Sequence, residues 1–182
     1  EEGRGERGGG GEGRGVGGGG RVTGNMGRIS SADLAASLFM VGLIWTIHYV
    51  HYPLFAEVGE ATYAQFQQSH VERIGQLLAL PWLIEGITLL ALLVVSVFGP
   101  LHKIRIPALL NGAAMAVVLI ISGFWSAPAH ADLADGFDAS IHDQLMTANL
   151  VRTLAWTVCG ICAVWIVLSM WPTEQTDEQH AK

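Results

Sequence analysis

Residues 78–98 read LALPWLIEGITLLALLVVSVF, and this stretch decides the fold. As a helix rising 1.5 Å per residue it is roughly 30 Å long, the thickness of a bilayer's hydrocarbon core. It shows no polar face recurring every 3.6 residues. A helix that is apolar all round suits lipid and suits the edge of a water-soluble core poorly. Gly99-Pro100 ends it, as expected where proline removes a backbone donor and clashes with the preceding turn. Its one ionisable residue, Glu85, is costly inside a membrane and therefore conspicuous.

Three further runs of similar character lie on either side, at about 32–50, 106–125 and 149–171. The first has Ser30, Ser31 and Asp33 as N-capping candidates, the third ends before Pro128, and the fourth ends at Pro172. Composition agrees: 51% of the 182 residues are hydrophobic and 14% charged, against about 25% charged in an ordinary soluble domain. The expected fold is all-α, a four-helix transmembrane bundle over 26–172. An additional amphipathic helix is expected in the first outer loop, at about 60–77. There Tyr63, Phe66, His70, Ile74 and Leu77 recur at three- and four-residue steps and form one stripe, suited to the membrane surface or to capping the bundle.

The ends are of different material. Residues 1–25 are rich in glycine, arginine and glutamate with almost nothing to bury, and are expected to be disordered. They lack the apolar centre of a signal peptide. Met26 is expected to be the natural start, with the preceding stretch translated from upstream DNA. Residues 173–182 are a polar C-terminal tail. The net charge of -6 and the absence of a basic stripe argue against nucleic acid as a partner, leaving the lipid bilayer and a possible second copy of the chain.

Four spans put both termini and the 99–105 loop on one side. That side carries Arg28, Lys103, Arg105 and Lys182, whereas the other carries Arg73 and, within the fourth run, Arg152. The positive-inside rule then places the termini in the cytoplasm and the protein in the cell (inner) membrane. The 126–148 loop, with Asp132, Asp135, Asp138 and Asp143 and no lysine or arginine, suits an outer face.

Five of seven histidines fall near that outer side: His48, His51, His70, His130 and His142. Chain direction places Glu85 about two turns below the outer end of its span, with Asn149 and Arg152 in the first outer turn of theirs. Glu85 either pairs with Arg152 or is protonated and bonded to a Ser, Thr or Asn of a neighbouring helix. His48 and His51 are three apart, and His142, Asn149 and Trp156 are spaced by seven, so each set shares a helix face. Together with His70 and Arg73, these residues are the candidates for one outer pocket holding a metal, haem or a quinone-like ligand. Interfacial packing of the same histidines is the alternative, and no HExxH, CxxCH or finger spacing selects a cofactor. Cys159-Gly160-Ile161-Cys162 has redox-like spacing, but it falls near mid-membrane with no third cysteine to relay electrons. It reads as a small-residue packing seam.

HYPLF (51–55), F-x3-H (66–70) leading to Arg73-Ile74, P-x3-E (81–85), the elements within 128–138, and NLVRT-x2-W (149–156) form a recognisable set. They resemble a group of uncharacterised four-span bacterial membrane proteins, with Leu150 where that pattern has Trp. The layout is similar to that of anthrone oxygenase-like membrane proteins. The resemblance covers about residues 40–160, implies a shared outer-face site and names no reaction. Two functions stay open: a ligand-binding or catalytic pocket, and a non-catalytic membrane subunit or small carrier whose polar residues are structural. Transport by a single bundle lacks the internal repeat of known carriers.

Overall fold

The computed structural model describes residues 17–171, with side chains from Gly24 onward. Helix α1 spans Gly17–Thr46 and passes without a break into a π-helical turn, Ile47–His51. A 3-10 turn over Pro53–Glu57 follows, and α2 then runs uninterrupted over Glu60–Val97. Helix α3, Arg105–Ile121, continues through a second π turn, Ser122–Ser126, into the short α4, Ala127–Asp132. Helix α5 covers Ala139–Met170. No strand occurs among the described residues. The chain is an all-α four-helix bundle.

Each of four segments is long and apolar enough to cross a membrane: Gly24–Glu57, Glu60–Val97, His102–Asp135 and Ala139–Met170. Their outward faces are studded with large apolar side chains, among them Leu80, Leu83, Ile87 and Leu90 on α2 and Leu154, Ile161 and Leu168 on α5. A water-soluble surface does not carry a continuous apolar belt of this extent. This is a membrane-embedded protein.

Three expectations need correction. The stripe at 60–77 is no separate surface helix, because α2 carries it straight on from the second span. At 38 residues that helix is about 57 Å long, so its N-terminal half stands clear of a ~30 Å hydrocarbon layer. The stripe caps the bundle: Tyr63 and His70 are buried, and Phe66 packs edge-on against the fully buried Phe55. Secondly, Ser30, Ser31 and Asp33 cap nothing. Helix α1 already includes residues 17–25, which composition assigns to disorder, since extending an existing helix is far cheaper than nucleating one. The two serine hydroxyls donate back to the Gly27 carbonyl. Thirdly, helix covers much of the 126–148 loop. Residues 1–16 and 172–182, including His180 and Lys182, lie outside the described residues.

Packing follows from small residues and a few interhelical bonds. At Gly160 an added Cβ would meet the Val41 side chain at 3.0 Å, so glycine lets α5 approach α1. One step along the same seam, Trp45 Nε1 donates to Thr157 Oγ1 at 3.1 Å. Asp138 caps α5, its side chain accepting from the amides of Ser140 and Ile141. Gly136, at φ 151°, makes the turn before it in a conformation closed to other residues.

Candidate functional site

The end of the bundle expected to face outward holds a cluster of imidazoles and aromatic rings around Phe55. The π turn closing α1 and the rigid Pro53 turn bring His51, Tyr52 and Phe55 against α2 and α4. His51 Nε2 lies 2.9 Å from His70 Nδ1, one ring donating to the other. The Gln67 amide nitrogen donates to His130 Nδ1 at 2.9 Å and to the His130 carbonyl at 3.2 Å. An amide nitrogen only donates, so His130 carries its proton on Nε2 and gives it to the Tyr52 hydroxyl oxygen, 2.8 Å away. His142 donates from Nε2 to the Tyr52 carbonyl at 2.9 Å. The His70 and His130 ring centroids are 5.2 Å apart, which closes the cluster.

Three of these rings, His51, His70 and His130, are harder to protonate than a free imidazole. Burial, then the neighbouring His130 and His51, push His70 from the usual 6.5 to about 3. Burial, then the Arg152 guanidinium and His51, bring His130 down to about 4. Burial also lowers His51, which is half-exposed.

Two clefts flank the upper half of α2. One, of about 560 Å³, is lined by His51, Phe66, Ser69, His70, Arg73 and Ile74, with Thr62 and Gln65 above and Leu77 below. The other, of about 820 Å³, is bordered by Gln67, Gln68, His130 and a row of alanines that includes Ala127 and Ala131.

A second polar layer lies deeper, and it separates residues that chain direction alone puts together. Glu85 is fifteen residues from His70 on the unbroken α2, a drop of about 22 Å. It does not share the outer pocket. Its Oε1 accepts from Ser37 Oγ at 2.8 Å and its Oε2 from Trp156 Nε1 at 3.1 Å. Of the two partners expected for Glu85, the hydroxyl of a neighbouring helix is the one that bonds it, and Arg152 lies instead over the Trp156 ring at 5.5 Å. Arg152 Nε is buried without a partner. Beside it, Asn149 Nδ2 reaches His48 Nδ1 at 3.4 Å. His142, Asn149 and Trp156, spaced by seven, are all buried, as a common face requires.

The site thus divides. His51, His70, His130 and His142 assemble with Tyr52 and Gln67 at the outer end, and Arg73 joins them in the 560 Å³ cleft. His48, Asn149 and Arg152 lie in the next layer of the bundle, and Glu85 lies deeper. Tyr52 and Gln67 were missed as functional residues. Gln67 was legible, since it lies three residues before His70 and four after Tyr63, on the same stripe. Among the described residues no three His, Cys, Asp or Glu side chains converge as for a metal ion. The bonded outer imidazole nitrogens face one another, Tyr52 or Gln67, and His70 Nε2 is buried without a partner. They present hydrogen-bonding edges rather than a ligand set.

Fold and site together define a membrane-embedded four-helix bundle with a histidine–aromatic cap over a buried polar layer. No family model, curated protein or solved structure matches the chain.

Proposed function

We propose that the 560 Å³ outer cleft binds an amphipathic small molecule with a carbonyl-bearing ring head, a quinone being the class that fits best. The observation that carries this reading is the grading of the cleft wall. Ser69, His51 and Arg73 supply donors around its middle, Phe66 supplies a ring face, and Ile74 and Leu77 lead down toward the lipid. A quinone head accepts hydrogen bonds through its oxygens and stacks on aromatic rings, while its tail belongs in hydrocarbon. With His70 Nδ1 donating to His51 Nε2, His51 keeps its proton on Nδ1 and can donate it to a carbonyl without introducing charge, and Arg73 adds one charge-assisted donor at the rim. The orientation that suits this is the positive-inside one: Arg28, Lys103 and Arg105 face the cytoplasm, and the cleft opens on the outer side of the cell membrane.

The test is a titration of the detergent-purified protein with a short-tailed quinone such as decylubiquinone, followed through tryptophan fluorescence. Saturable binding is expected. Arg73→Ala should weaken it about tenfold, the loss of one charge-assisted bond, and Ser69→Trp should abolish it by filling the cleft. Unchanged affinity in both variants, or no saturable binding to the wild type, removes the proposal and leaves the structural-subunit reading.

A further inference from the structure

The deep polar layer has a feature that the outer cleft does not explain. Asp33 and Ser37, one turn apart on α1, face Glu85 and Thr88, one turn apart on α2. Thr88 Oγ1 donates to Asp33 Oδ1 at 2.9 Å, and Ser37 Oγ donates to Glu85 Oε1 at 2.8 Å. Asp33, Ser37 and Glu85 have no exposed surface at all. Asp33 Oδ2 is buried with no donor of any kind, a state that a membrane-buried carboxylate does not tolerate without compensation. A second orphan lies on α3. Asn111 is fully buried, and neither its amide oxygen nor its amide nitrogen has a partner. The Cys159 thiol lies 3.8 Å from the Asn111 backbone carbonyl.

Formal charge points the same way. Leaving the imidazoles aside, the buried acidic and basic side chains among the described residues are Asp33, Glu85 and Arg152. Two carboxylates against one guanidinium leave one negative charge unmatched inside the bundle. We propose that this seam is a binding site for a monovalent metal cation of about the size of sodium, held by oxygens of Asp33, Glu85 and Thr88. The donors are carboxylate and hydroxyl oxygens, which suit a hard cation and not zinc or copper. One monovalent ion closes the charge count, whereas a divalent ion overshoots it. The site lies about 12 Å along α2 beyond Leu77, the lower edge of the quinone cleft, and stands independently of it.

Thermal unfolding of the full chain in mild detergent tests this, in sodium, potassium and choline chloride at equal ionic strength and fixed pH. Saturating sodium should raise Tm by roughly 5–10 °C over choline, with potassium smaller. Asp33→Asn should lose that difference. Thr88→Val, a milder change, should shift the sodium dependence to several-fold higher concentration, and it serves if Asp33→Asn does not fold. Equal Tm in the three salts overturns the proposal and assigns the missing positive charge to a proton. A sodium effect that survives in both variants also overturns it, by placing the ion elsewhere.

Discussion

Replacing Trp156 by phenylalanine keeps a ring in the core and deletes the N–H that Glu85 Oε2 accepts at 3.1 Å. Trp156 and Glu85 both have no exposed surface, so water cannot take the place of the lost donor. A hydrogen bond to a charged group contributes about 1.5–3 kcal/mol in soluble proteins, whereas interhelical bonds in membranes average about 0.6 and reach about 1.7. The Glu85 carboxylate is fully buried and has two donors, which places this bond at the upper end of the membrane range, roughly 1.5 kcal/mol. The smaller ring adds a cavity cost on the order of 1 kcal/mol and weakens the seat of Arg152, so the single variant mixes three effects. A double-mutant cycle with Glu85→Leu isolates the first. The four proteins are unfolded by titrating a denaturing detergent into mild micelles, with helix loss followed by circular dichroism. The predicted coupling is about 1 kcal/mol or more, above the ~0.5 kcal/mol scatter of independent sites. Strict additivity would refute the claim that the indole links these two helices.

Stability should fall as pH drops from 7 toward 4. His70 and His130 titrate at about 3 and about 4 in the folded chain, against the usual 6.5. Acid therefore protonates the unfolded state first, and the stability present above 6.5 is lost on the way down. His130→Gln should flatten that slope in a Tm-versus-pH series. His142→Ala should cost about 1–3 kcal/mol in the same detergent titration, because the buried Tyr52 carbonyl loses its donor. Gly160→Leu should open the α1–α5 seam and cost about 1–3 kcal/mol, since even a Cβ there meets Val41 at 3.0 Å.

The transmembrane architecture was legible because lipid imposes a length and an all-round apolar character that no other environment asks of a helix. Four helices long and apolar enough to cross a membrane are present among the described residues. Depth was less legible. Counting from the ends of apolar runs put Glu85 near the outer face, but α1 extends back past Met26, and so Ser37 and Asp33 meet α2 in the middle of the bundle. Apolar boundaries do not record how neighbouring helices are staggered. The histidine grouping could be read from chain direction, since alternate spans run in opposite senses and gather His51, His70, His130 and His142 at one end. Their partners could not. Tyr52 reaches His130 across 78 residues of sequence and Gln67 reaches it across 63, pairings set by the π turn and the Pro53 turn. Asp33 looked like a cap because helix beginnings are read from composition, and a glycine-rich stretch gives no hint that the helix has already started.

The central claim is that the outer cleft holds a ligand, and its most direct test uses the protein purified in mild detergent from its own membranes. An absorption spectrum and elemental analysis are recorded, and the organic extract is then examined by mass spectrometry. The account predicts an ultraviolet band that bleaches on borohydride reduction and an extracted quinone approaching one per chain, reduced severalfold in Ser69→Trp. A haem spectrum, stoichiometric transition metal, or an extract free of any such molecule would contradict it.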